Sequence, residues 1–319
     1  MSYRFASATA TRTIALLAIS VAASLAVSAA QPARHTVHVS ALDKDHVSVT
    51  DMQASDFDVK EGGKTAEVIS ARRATTRLRI AIVDSDAGTG AYQQGLLQFM
   101  QKLLDSAEFG ITSVMVQPQK VTDYTSDAPT LSKALDGLGK RGAPTGGAQL
   151  MEAINDAART VGASGKRPVI LVLRYGFEGT SSLSPNDLRA AIRKSGAILY
   201  VLSIKGMNRI STPSSATVTG ATMNSYTAVA NLRDDELNEG RFNIQLVLGD
   251  GSRESGGRHD EIVAVSLAKS VEMVADELLN QYEIVYAVPA GVKPGDNKLS
   301  VSTKRKNVSV YAPTMVPPQ

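Results

Sequence analysis

Two aspartates one residue apart, Asp84 and Asp86, stand where a short apolar run gives way to a loop. Paired carboxylates in such a place are ligands for a hard divalent cation, which takes oxygen donors and, as magnesium, near-octahedral geometry. A rearranged site of this kind would draw further oxygens from Thr145 and Glu178. The competing expectation is that Asp84 caps its loop by accepting backbone N–H bonds. Other chemistry is thin. The four histidines are His35, His38, His46 and His259. His38 and His46 would face each other across a hairpin, but two imidazoles without a third ligand make a weak metal site. Exposure on strands is the expectation for them. There is no Gly-x-Ser-x-Gly elbow, and no Ser-His-Asp grouping is readable from the chain. The absence of cysteine excludes disulfides, thiol catalysis and zinc-thiolate sites.

The elements that must position Asp84 follow from periodicity. Leu78-Arg79-Ile80-Ala81-Ile82-Val83 reads as a central parallel strand buried on both faces. Ligands in open α/β sheets bind just beyond the carboxyl ends of such strands. The middle of the chain alternates strand and helix, which predicts a parallel sheet with crossover helices. Helices are expected over residues 91–105, 131–138, 148–161 and 267–280, and strands over 110–116, 120–124, 169–173 and 197–204. Ser184-Pro185 starts a further helix that ends at Gly196, with serine as cap and proline in the first turn. Residues 35–71 alternate apolar and polar side chains around turns at Asp43-Lys44-Asp45 and Glu61-Gly62-Gly63-Lys64. Residues 281–288 and 299–310 read as two more strands, with Tyr282 and Tyr286 on one buried face. Lys304-Arg305-Lys306 is then a solvated strand edge. Residues 205–240 are hard to read, and the Ser-, Thr- and Gly-rich part at 211–221 reads as a loop.

The frame Asp84-x-Asp86-x-Gly88 resembles the first metal-binding loop of von Willebrand factor type A domains, Asp-x-Ser-x-Ser. Thr145-Gly146-Gly147-Ala148 stands where that family has Gly-Gly-Thr, with Ala148 in the place of the threonine. Tyr175, following Val169-Ile170-Leu171-Val172-Leu173-Arg174, takes the place of the family's last aspartate. By this comparison only Asp84 survives of the family's ligand positions. Gly88 and Ala148 offer no side-chain oxygen, Tyr175 offers a phenol, and Arg174 adds a positive charge nearby. The flanks extend the resemblance to about residues 36–312. Asp56-Phe57-Asp58-Val59-Lys60-Glu61-Gly62-Gly63 is similar to the Asp-Phe-x-Val-x-Glu-x-Gly hairpin of the N-terminal β-module in bacterial (acidobacterial-type) von Willebrand factor type A-related proteins. Gln281-Tyr282-Glu283-Ile284-Val285-Tyr286 resembles their Gln-Tyr-x-Leu-x-Tyr strand, and Ser255-Gly256-Gly257-Arg258 their Thr-Gly-Gly-Arg turn. The resemblance implies a Rossmann-like α/β domain, mostly parallel sheet flanked by helices, with small N- and C-terminal β elements. It also implies a degenerate metal-ion-dependent adhesion site.

Arg4 and Arg12, the apolar run over residues 14–27 and the small residues Val27-Ser28-Ala29-Ala30 read as a secretory signal peptide too short to span a bilayer. Cleavage after residue 30 would remove those two arginines and no acid, lowering the formal charge from +3 to +1. A nearly neutral chain speaks against nucleic acid as a partner. The expected divisions are residues 1–30 as signal peptide, 31–77 as the N-terminal β-module, 78–281 as the type A-like domain, and 282–319 as a C-terminal strand unit and tail. The C-terminal unit is expected to pack with the β-module. The functional expectation is an exported, periplasmic or extracellular, non-enzymatic module that binds an unknown protein partner. It needs no cofactor and has no membrane span once the signal is removed. The alternative is a divalent-cation-dependent (Mg2+) adhesion protein using Asp84 and Asp86.

Overall fold

The computed structural model describes residues 33–86, 90–138, 149–162, 164–175, 181–204 and 234–319. The signal-peptide segment, Gly88, the Thr145–Ala148 tetrapeptide, Glu178 and the 211–221 loop lie outside these residues. Chain order begins with β1 (Arg34–Asp43), β2 (Phe57–Glu61), β3 (Lys64–Ala66), β4 (Val68–Arg73) and β5 (Leu78–Ser85). Next come α1 (Gln93–Leu103), β6 (Ala107–Val114), β7 (Pro118–Thr125), α2 (Ala128–Leu138), α3 (Leu150–Val161), β8 (Arg167–Arg174), α4 (Pro185–Ser195) and β9 (Ile198–Ile204). The last elements are α5 (Asp234–Gln245), β10 (Arg258–Ile262), α6 (Leu267–Leu279), β11 (Tyr282–Ala287), β12 (Leu299–Thr303) and β13 (Val308–Tyr311).

Six strands form one sheet in the order β10-β9-β8-β5-β6-β7. Five run parallel, and the edge strand β7 is antiparallel to β6. The fold is thus a mostly parallel, Rossmann-like sheet flanked by helices. β5 lies at its centre for the reason its composition predicts. Ile80 and Ile82 face a core built with α1, α2 and α6. Ala81 and Val83 face a second core built with α3, α4 and the turns after α5. α1 can press against α6 because Gly95 lacks a side chain: a Cβ there would lie 2.8 Å from Leu267 Cδ2. α4 has the boundaries its sequence predicts. The Ser184 hydroxyl accepts from the Asp187 N–H, Pro185 opens the helix, and Gly196 closes it at φ +68°.

The N- and C-terminal strands build one β unit together. β1 is central in a four-stranded sheet, β13-β1-β11-β4, and β2 pairs with both β12 and β3. Tyr282 and Tyr286 are buried on the shared face with Val37, Val39 and Val59. The Tyr282 hydroxyl donates to Val49 O and accepts from Met52 N–H, both at 3.0 Å. A buried polar network joins this unit to the amino-terminal ends of the parallel strands. The Arg167 guanidinium donates to Thr76 O, Leu278 O and Gln281 Oε1, and the Gln281 amide reaches Ser40 Oγ and Tyr200 Oη. Burial draws Arg167 down to about 10, so it remains a cation at neutral pH.

The structure departs from the expectations at several places. Residues 299–310 are not one strand but two, because the chain turns at Lys304–Asn307 with Asn307 at φ +61°. Lys304-Arg305-Lys306 is therefore a turn rather than a strand edge; Lys304 pairs with Asp58 and Arg305 with Asp51. Residues 234–240, within the stretch left unread, begin α5. His38 is only partly solvated, and it does not face His46, which sits in the exposed turn after β1. Burial takes the His38 pKa down to about 4, helped by the Arg167 charge and opposed by Glu283. Ser255-Gly256-Gly257 leads directly into β10, a fifth parallel strand that residues 258–262 do not announce.

Candidate functional site

Asp84 and Asp86 lie at the carboxyl end of β5, and the topology makes that end special. The chain leaves β5 toward β6 on one side and returns to β8 on the other. The crevice above the β5/β8 pair is the topological switch point where α/β sheets bind ligands. The register brings Ser85 level with Arg174, the last residue of β8, and Tyr175 N–H donates to Ser85 O at 2.9 Å.

This end of the sheet is charged but closed to water. Asp84 is 1% exposed, Asp86 3% and Arg174 3%. Tyr92, just before α1, is buried beneath them. Its hydroxyl donates to Arg174 O at 2.8 Å and to Leu202 O at 3.1 Å. It thereby ties the start of α1 to the ends of β8 and β9. Burial raises the Tyr92 phenol, Asp84 and Asp86 raise it further, and Arg174 opposes them. Tyr92 therefore stays a protonated donor at any physiological pH. Next along the edge, Ser203 Oγ and His259 Nε2 lie 2.8 Å apart. Burial lowers the His259 pKa, Arg174 lowers it further, and Glu261 and Asp260 oppose.

A divalent cation does not fit the residues the structure describes here. Of the ligand set the resemblance implies only Asp84 remains, with Asp86 in the place of a serine, and buried Arg174 brings a positive charge to the same end of the sheet. Tyr175 packs against the hydrophobic core. Among the described residues no group of three or more His, Asp or Glu is placed to hold a metal ion. Thr145 and Glu178, the further oxygens of a rearranged site, fall outside them.

The Ser203–His259 pair could not be found from sequence, because the partners are 56 residues apart and meet only through β9–β10 pairing. A serine and a neutral imidazole in contact are the start of a nucleophile–base pair. The Asp260 carboxylate, however, is taken by Arg258 Nε at 2.7 Å, and Ser203 is 3% exposed. Among the described residues no carboxylate hydrogen-bonds the other ring nitrogen. The contact therefore reads as a bond that ties the edge strand β10 to β9. Tyr92 had no sequence signal at all.

Two exposed residues at this end are aliphatic. Val263 and Val265 follow directly on β10, 52% and 93% exposed. Among the described residues no helix is long and apolar enough to cross a membrane.

No known family's sequence profile matches the chain, and no curated protein matches it. Solved structures do. A von Willebrand factor type A protein from Catenulispora acidiphila aligns over 90% of this chain and 73% of its own, at 11% identity and TM-score 0.43. The vWF domain of the type V pili tip protein Mfa5 from Porphyromonas gingivalis aligns over 33% of this chain at 15% identity and TM-score 0.30. Proximal thread matrix protein 1 from the mussel byssus aligns over 65% at 9% identity and TM-score 0.43. The chain covers 40% of the Mfa5 domain's length and 49% of the mussel protein's.

Proposed function

We propose that this protein is an exported, non-enzymatic module that binds a protein partner without a divalent cation. The observation that carries this reading is the contrast at the carboxyl end of the sheet. The charged groups there, Asp84, Asp86 and Arg174, are withdrawn from solvent, while Val263 and Val265 are exposed. Exposed aliphatic side chains there offer apolar contact to a partner. The secretory signal read over residues 1–30 supports a periplasmic or extracellular setting.

The test is thermal unfolding of residues 31–319 with Mg2+, Mn2+ or EDTA. A ligand that binds only the native state at 100 times its dissociation constant adds about 2.7 kcal/mol, a shift of several degrees at this size. No shift is expected. A saturable shift that disappears in Asp84→Ala would install the cation-dependent alternative instead. Turnover in a broad esterase and peptidase screen, lost in Ser203→Ala, would overturn the non-enzymatic part.

A further inference from the structure

We propose that the outer edge of β1 at Arg34–Thr36, with the basic end of α4 beside it, docks a short extended acidic segment of a partner protein, and that the Gln319 side chain occupies this edge in the partner's absence. The inference rests on the protein-binding reading and names for it a surface and a partner chemistry. Strand register is the first support. Val288 N–H donates to Ala33 O, so the odd-numbered residues of β1 bond β11. The even-numbered residues turn their N–H and C=O groups to the other edge. β13 covers that edge only over Ser40–Asp43. The chain then turns away, with Thr314 N–H donating to Glu254 O and Val316 N–H to Asn297 O, both at 2.9 Å. It returns to β1 through the Gln319 side chain. Thr36 N–H donates to the Gln319 amide oxygen at 2.8 Å, and the amide nitrogen donates to Thr36 O at 3.3 Å. Those are the two bonds that the opposed residue of a neighbouring strand would make. Among the described residues no strand pairs with Arg34 or Thr36 on this edge.

Charge is the second support. His35 on β1, the last turn of α4 and Gln319 line one open groove of about 600 Å³. Arg193 and Lys194 stand exposed on its α4 wall and form no ion pair among the described residues. Asp296 is the only carboxylate lining the groove among the described residues. An added strand takes its affinity from main-chain bonds and its selectivity from side-chain contacts. A segment that pairs with Thr36 and turns carboxylates toward Arg193 and Lys194 gains both. Gln319 suits the part of placeholder for a chemical reason. Its side-chain amide makes the same two bonds as a peptide group, yet it is exposed and held by one flexible side chain. It blunts an open strand edge and can still give way to a better partner.

The test is fluorescence polarisation of a labelled peptide of alternating valine and glutamate, titrated with residues 31–319. Binding is expected, and added salt weakens it. Arg193→Glu/Lys194→Glu weakens it about tenfold or more. Gln319→Ala removes the competing amide and tightens it about threefold. The same peptide with lysine for glutamate, or methylated at every backbone nitrogen, binds neither the unmodified chain nor Gln319→Ala. All these substitutions are at exposed side chains, and unchanged melting temperatures verify that the variants fold. Absence of binding to both the unmodified chain and Gln319→Ala overturns the docking site. So does equal binding of the lysine or the methylated peptide, and unchanged affinity in Gln319→Ala removes the placeholder. The two readings fail separately. A Mg2+ shift of the unmodified chain defeats metal independence and leaves this edge standing, while failure of the peptide series defeats the β1 site alone.

Discussion

Single residues at the two ends of the parallel sheet do opposite kinds of work. At the carboxyl end Asp84, Asp86 and Arg174 gather charge where a ligand would sit. At the amino end Arg167 bonds Gln281 at the seam with the β unit, and His38 stands close enough to feel its charge. His38 makes a pH prediction. Its folded pKa of about 4 lies below the ordinary histidine value of 6.5. Between those values the unfolded chain takes up a proton that the folded chain refuses, so stability is full above pH 6.5 and falls as pH falls. The loss is about 2 kcal/mol by pH 5. Urea unfolding at pH 7 and pH 5 measures it, and His38→Gln should flatten the difference. An unchanged slope in that variant would mean His38 is not held neutral. At this scale the sequence is legible only where a residue ends a pattern. Asp84 shows itself because it stops an apolar run. His38 misleads, because alternation along β1 says which residues share a face and not what covers the other face. The Arg167–Gln281 contact spans 114 residues and has no local signature.

Elements were readable in proportion to how much of their stability is local. α4 carries its own cap, proline and terminal glycine, and it forms where they say. Ser184→Ala should cost about 1 kcal/mol through the lost bond to the Asp187 N–H, seen as a lower urea midpoint at unchanged slope. β10 is the opposite case. Arg258-His259-Asp260-Glu261-Ile262 lacks an apolar run, and its place depends on neighbours. Arg258 pairs with Asp260 and Glu277, His259 with Ser203, and the backbone of Gly257 runs hard against β9. A Cβ at Gly257 would stand 2.0 Å from Leu199 O, too close for any rotamer change to relieve. Gly257→Ala should therefore lower stability by about 3 kcal/mol or more. A near-neutral result would show that β10 is not held in this position.

Across the whole molecule the two termini complete each other. β11 runs between β1 and β4, β12 pairs with β2, and β13 with β1. A chain ending at Gln281 loses the partners of three N-terminal strands and the Tyr282 and Tyr286 rings that fill their core. Limited proteolysis should then cut rapidly within residues 33–77, which are protected in the full chain. Equal protection would mean that the N-terminal strands fold without them. The sequence by itself determined the alternation of strand and helix, the central place of β5, the buried face of Tyr282 and Tyr286, and the site-like position of Asp84. Each of these follows from the period of apolar residues or from a turn residue acting on its immediate neighbours. Only the tertiary structure decided that β10 extends the sheet, that Ser203 meets His259, that His38 is mostly withdrawn from solvent, and that Arg174 pairs with Ser85 between two buried aspartates. Those outcomes depend on strand order and register, which are set by the packing of the whole chain.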